Sequence, residues 1–205
     1  MPMANWNAVY TNGYDARDNW TQEMRANNVD IIASHFGSQG WTINAIAGML
    51  GNMQAESYLN PGQWQHGYNV EHQPPDLDGF GLVQWTPWTK YSTWAGSDWR
   101  TNYDKQLARI DYEFEQGEGF QWITTSTYPL SFEEFSLSDE SPEYLARAFF
   151  SNYERGTGST TPRENNARTW YEYLLENPPG PVPPSKSSKM SIMLYLKPKW
   201  KRGFY

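Results

Sequence analysis

Carboxylates able to hand over a proton are the first residues to weigh in this chain, and Glu56 is the best placed of them. It lies in "AIAGMLGNMQAESYLNPGQW", residues 45–64, which begins like a helix interior and ends like a turn. On a wheel of about 100° per residue with Ile46 at zero, Leu50 falls at about 40°, Met53 at about 340°, Met49 at about 300° and Glu56 at about 280°. Glu56 therefore stands at the margin of the apolar stripe, where partial desolvation favours the protonated carboxyl. The C-terminal end of the helix dipole disfavours a carboxylate charge as well. Both effects suit a general acid. A Glu at a stripe edge also reaches water easily, so position alone leaves a solvated charge and a proton donor both open.

Other reactive patterns are weaker. His66 and His72 lie near Asp76 and Asp78, but the spacing fits no standard zinc pattern, and no metal or other cofactor is expected. The chain has 205 residues and no cysteine, which excludes disulfides, thiolate nucleophiles and Cys metal sites. Net charge is −7, and no basic stripe precedes the short "KPKWKRGFY" end, so a nucleic-acid partner is not expected. The 11 Trp and 14 Tyr are numerous enough to serve core, interface or sugar-ring platform alike. The N-terminus reads as no signal peptide, and no run approaches the roughly 18 apolar residues of a membrane span.

The elements that must position Glu56 read as mainly helical. "DNWTQEMRANNVDIIASHFG", residues 18–37, predicts one helix, and "GWTINAIAGMLGNMQAES" the next, capped by Thr42 and stopped by Asn60–Pro61–Gly62. Gly48 and Gly51 are costly in a helix interior, which predicts close packing of another helix against this one. Residues 62–88 are rich in Gly, Pro, Gln and aromatics and predict loops with a small irregular hairpin, Phe80, Leu82 and Val83 being the most strand-like. Helical patterns return in "TNYDKQLARIDYEFEQG" (Thr101 and Asp104 as a capping pair), "SFEEF", "SPEYLARAFFSNYERG" (Ser141 cap, Pro142 first turn) and "TPRENNARTWYEYLLEN" (Thr161 cap, with Glu164 closing a capping box). One domain is expected over residues 1–176. A Pro/Ser-rich linker should follow at 177–189, then a short basic and aromatic tail at 190–205.

"AIAGMLGNMQAESYLNPG" followed by "DGFGLVQWT" resembles the phage tail lysozyme family, whose members degrade cell walls and are related to goose-type lysozymes and lytic transglycosylases. The likeness covers about residues 25–175. It implies a lysozyme-like fold, mainly α (α+β), with a small β/loop insert forming one wall of a substrate groove beside the catalytic helix. It implies that Glu56 is the catalytic acid. Such a reaction protonates the leaving oxygen of a β-1,4 glycosidic bond, and in the inverting scheme a second carboxylate about 6.5–9.5 Å away activates water. Asp76, Asp78 and Glu71 are the candidates. Asp78, beside the Gly79–Phe80–Gly81 turn, is the first choice, although "PPDLDG" is also good turn chemistry. Gln84 and Trp85 fall where the pattern forms the groove wall: Gln84 can bind an acetamido group, and Trp85 can lie against a sugar face or sit in the core. His66 is a further groove-lining candidate. "FFSNYERG" loosely resembles the transglycosylase segment in which a Tyr faces the catalytic Glu. Tyr153 matches that Tyr, and Glu154 stands where the motif has Asn. Glu154 can pair with Arg155 or Arg147, or add a charge to the site.

The expected function is a muramidase cutting between N-acetylmuramic acid and N-acetylglucosamine. Its partners would be peptidoglycan strands and other tail or virion proteins, and its place a virion tail or release onto the bacterial wall. A lytic transglycosylase leaving 1,6-anhydromuramic acid ends is the alternative of like chemistry. A non-catalytic wall-binding or structural tail protein is the alternative of another class.

Overall fold

The computed structural model describes residues 3–8, 20–65 and 77–179. Its helices are α1 (Gln22–Gly37), α2 (Ile43–Ser57), α3 (Thr89–Ala95), α4 (Asp104–Gln116), α5 (Phe132–Ser136), α6 (Pro142–Phe149) and α7 (Thr161–Glu176), with a π-helical turn over Phe150–Glu154 running on from α6. Thr21, Thr42 and Ser141 each cap their helix by accepting a backbone N–H three residues on, and Ser131 and Glu134 form a reciprocal capping box on α5.

Two caps differ from expectation. Asp104 does not cap α4 with Thr101; its carboxylate instead accepts from the Ala4 backbone N–H and from Trp6 Nε1 at 2.7 Å, tying the N-terminal segment down. Thr161 lies inside α7, and Glu164 accepts from Thr160 Oγ1 and from Arg147 Nη1 at 2.6 Å. With Thr160 as the residue before the helix, Glu164 stands one position too far along to close a box.

Helix α2 is the hub. Its residues from Ala45 to Met53 are all buried, and α1, α5, α6 and α7 pack around it. The two glycines permit this. A Cβ on Gly48 would lie 2.8 Å from Leu145 Cβ of α6, and one on Gly51 would lie 2.8 Å from Ala167 Cβ of α7. Real side chains do not approach so closely, so only glycine brings α6 and the first turn of α7 onto this helix. Asn52 adds a buried tie, donating to the Ala146 carbonyl at 2.9 Å.

The expected mainly α (α+β) fold with a β/loop insert is corrected. Among the described residues there is no strand and no sheet; the insert contains only two isolated antiparallel bridges, Trp64 with Phe80 and Phe80 with Trp85. The reason lies in the partners of the strand-like run. Leu82 N–H donates to the Gln106 side chain of α4 at 2.8 Å, and the Leu82 carbonyl accepts from Ser57 Oγ of α2 at 2.9 Å. Gly81 and Gln84 both take positive φ, +83° and +50°. A ladder needs extended backbone with free N–H and C=O groups, and here side chains from two helices have taken them. A Cβ on Gly81 would also lie 2.6 Å from Gln106 Oε1, so this turn needs both the left-handed backbone and the bare face of glycine. After the insert the chain forms α3, over residues to which no sequence pattern assigns an element.

Only residues 177–179 of the expected linker are described, and the expected tail lies outside the described residues. No helix among the described residues is long and apolar enough to cross a membrane.

Candidate active site

Helix α2 ends at Ser57, earlier than the Asn60–Pro61–Gly62 signal suggested. Tyr58 and Leu59 both adopt left-handed φ, 56° and 63°, without being glycine. That conformation is uncommon for such side chains, and three contacts hold it. Trp20 Nε1 donates to the Tyr58 carbonyl at 2.6 Å, Asn28 Nδ2 donates to the Leu59 carbonyl at 2.9 Å, and Ser57 is bonded to the insert. The start of α1 thus clamps the end of the helix that carries Glu56. Asn60 then turns the chain, its Oδ1 accepting from Gly62 N–H.

This junction opens onto a groove of about 550 Å³. Glu56, Tyr58 and Asn60 contribute to it from the end of α2. Gln63, Trp64, Gln84 and Trp85 contribute from the insert, and Tyr153, Glu154 and Arg155 from the π turn and its end. Arg25 of α1 and Lys90 of α3 complete its charged lining. Burial pushes the Lys90 ammonium below its ordinary value, and the neighbouring Arg155 charge pushes it the same way.

Glu56 is partly exposed, its side chain at 23%, and forms an ion pair with Arg163 of α7. Arg163 is itself mostly covered, with its guanidinium 4.1 Å from the Phe150 ring centre. The wheel placed Glu56 correctly at the stripe margin, but it had no means of supplying the arginine, which arrives from 107 residues downstream. Gly51 makes that arrival possible, because the first turn of α7 rests on it.

Glu154 differs sharply. Its carboxyl lines the same groove, and one oxygen, Oε1, is enclosed with no hydrogen-bond partner among the described residues. Burial holds this carboxyl well above the usual range, and the Glu56 charge pushes it further; Arg163 opposes both. It pairs with neither Arg155 nor Arg147: Arg147 is taken by Glu164, and Arg155 donates to the Gln121 carbonyl. The π turn accounts for its position. One widened turn at the end of α6 shifts the following side chains relative to a regular helix, a device frequent at functional sites.

Behind the groove stands a group the sequence reading missed. Glu113 of α4 is fully buried and accepts from Arg109 Nε at 2.7 Å, Trp85 Nε1 at 3.0 Å and the Tyr153 hydroxyl. Tyr91 stacks on Trp85 at 4.9 Å, and Arg109 lies over Trp94, Tyr112 and Phe120. Burial, reinforced by the Glu113 charge, raises the Tyr153 phenol well above its ordinary value, so Tyr153 stays a neutral donor. Its hydroxyl is committed to Glu113 rather than to Glu56. The only advance signal for Glu113 was the Arg109–Glu113 spacing of four on one helix, which is common on solvated faces.

The remaining expectations fall as follows. Trp85 both packs in the core, at 3% exposure, and lines the groove. Gln84 lines it too, donating to the Gln63 and Gly81 carbonyls while its buried Oε1 has no hydrogen-bond partner among the described residues. Asp78 is buried, its backbone carbonyl accepting from Trp88 N–H, and it is not among the described side chains that line the groove. His66, Glu71, His72 and Asp76 lie outside the described residues, and among those described no cluster of His, Asp and Glu could hold a metal ion.

The sequence profile of phage tail lysozymes matches residues 27–174, which takes in every element from α1 to α7 apart from their outermost turns. This chain belongs to the phage tail lysozyme family. A curated relative, morphogenesis protein 1 of Bacillus phage B103, is 43% identical over 150 residues. The match covers 72% of this chain and 39% of that protein, so the chain spans well under half the length of that relative. The family's shared region therefore coincides with the helical body and the groove.

Proposed function

We propose that this phage tail lysozyme family member is a peptidoglycan hydrolase that cuts the β-1,4 bond between N-acetylmuramic acid and N-acetylglucosamine, with Glu56 as proton donor. The observation that carries this reading is the placement of Glu56: a partly covered carboxyl at the end of the central helix, opening into a groove lined by tryptophans and amides. Aromatic faces and amide groups are the partners sugar rings and acetamido groups use. Glu56 would have to take up a proton in place of its ion pair with Arg163, give that proton to the leaving glycosidic oxygen as the bond breaks, and return to Arg163 as the carboxylate. Trp85 and Tyr153, fixed from behind by Glu113, would give the oxocarbenium-like sugar a rigid surface.

The role expected for Asp78 as base has less geometric support, because its side chain is buried away from the groove lining. This favours keeping a second reading, lytic transglycosylation, in which the muramyl 6-hydroxyl attacks and no separate water-activating carboxylate is required. Digestion of purified peptidoglycan followed by mass spectrometry separates the two, since the products differ by one water. Glu56→Gln should stay folded and release no product; clearing of walls at the wild-type rate by that variant would refute the assignment. Asp78→Asn should keep its full rate if Asp78 is a turn residue and lose it if Asp78 is the base.

A further inference from the structure

The groove holds a second carboxyl that the proposed chemistry does not yet use. Glu154 lies at the end of the π turn, in the groove lining with Glu56. An ionised carboxylate there would leave Oε1 enclosed without a donor and would set a second negative charge beside Glu56. Buried anionic oxygens without donors are strongly disfavoured. Arg163, which reaches toward this pair from α7, is already bonded to Glu56. A neutral carboxyl, by contrast, has an O–H to give.

We propose that Glu154 works in this groove as an uncharged carboxylic acid that donates its hydroxyl hydrogen to a neutral acceptor oxygen of the bound glycan, an acetamido carbonyl being the strongest such acceptor a wall polysaccharide carries. No bond to the proton is broken; the contact binds and orients the sugar next to Glu56. The inference rests on the reading of the groove as a glycan site. Among the described residues, the charged groups acting on Glu154 are Glu56 from α2, Arg163 from α7, Glu113 from α4 and the adjoining Arg155, and Arg25 of α1 and Lys90 of α3 line the same groove. Glu56 and Glu113 disfavour its ionisation, while Arg163 serves Glu56 and Arg155 donates to the Gln121 carbonyl.

The test compares kcat/KM against pH on purified peptidoglycan for the wild-type chain, Glu154→Gln and Glu154→Leu, with Glu56→Gln as the inactive control. Glutamine keeps shape, neutrality and a donor. Glu154→Gln should hold within about threefold of wild type near neutrality, and its activity should fall less steeply on the alkaline side, because the variant has no Glu154 proton to lose. Glu154→Leu, folded by circular dichroism, should lose at least about tenfold, the scale of one lost hydrogen bond. If Glu154→Gln is as damaged as Glu154→Leu, an ionising carboxyl is required and the proposal is wrong. An alkaline limb of the same shape in Glu154→Gln and wild type would overturn it too, and that comparison stands even if the leucine variant fails to fold. A wild-type chain that releases no product, or a Glu56→Gln chain as active as wild type, refutes the glycan-cleaving reading itself and is seen separately from the Glu154 arms.

Discussion

Two glutamates in one groove have been given opposite surroundings. Glu56 received an arginine, and Glu154 received burial and a neighbouring negative charge. Burial and the adjoining Glu56 charge hold the Glu154 carboxyl above the usual range. This has a stability consequence whose sign can be worked out. Because the Glu154 carboxyl is raised in the folded chain, the native state keeps a proton that the unfolded chain releases between the ordinary glutamate range and the raised value. Unfolding then sheds a proton, so this residue makes stability fall as pH climbs through that window and level off beyond it. Thermal midpoints of Glu154→Gln should therefore gain on wild type as pH rises from the ordinary glutamate range upward. A constant difference would contradict the raised carboxyl. Arg163→Gln removes the charge facing Glu56 and should lower wall-degrading kcat by about 10- to 100-fold, the span expected for a lost charge-assisted hydrogen bond. Single-turnover product release would check it.

At the scale of elements, helix packing rather than local sequence aims these groups. Arg163 meets Glu56 because α7 rests its first turn on Gly51. Gly51→Ala forces α7 outward and should destabilise the chain by about 1–3 kcal/mol, as overpacking does, with activity falling further than stability because the Glu56–Arg163 pair is pulled apart. Denaturant midpoints read beside kcat on the same preparation would show this. Helix α4 acts from the other side, its Glu113 holding Trp85 and Tyr153. Glu113→Ala strands Arg109 without its partner and should cost about 3–5 kcal/mol. Glu113→Gln keeps an acceptor for the two ring donors and should cost less, as urea unfolding of the pair of variants would reveal.

For the molecule as a whole, the aromatic residues join the helices and the insert into one core. Trp64, Phe80, Trp88 and Trp99 contact one another beneath the groove, while Trp41, Trp122, Phe132 and Phe135 fill the far side around α5. Both groups belong to one continuous set of buried contacts with α2 at its centre. Heat unfolding followed by tryptophan fluorescence and by far-ultraviolet circular dichroism should therefore give coincident transitions, as a single cooperative unit does. A fluorescence change preceding loss of helix would mean that the insert melts by itself.

What the sequence determined by itself follows from local rules. Thr42 capped α2 and Ser141 capped α6, Gly48 and Gly51 announced close helix packing, and the changeover at the end of α2 marked Glu56 at the margin of the core. Periodicity and capping reach only a few residues along the chain, and these features lie within that reach. The tertiary structure alone decided what surrounds Glu56. Arg163 stands 107 residues away in sequence, Glu113 gained its role from a hydroxyl and an indole on separate elements, and Glu154 became a half-buried acid with one enclosed oxygen only because the π turn and α2 converge. The strand-like "GFGLVQW" failed to become a strand for the same reason: Gln106 and Ser57, from helices on either side of it in the chain, took the backbone groups a ladder would have used. Charge, burial and hydrogen-bond competition act through space, so pattern along the chain placed the Glu56 carboxyl and folding chose its company.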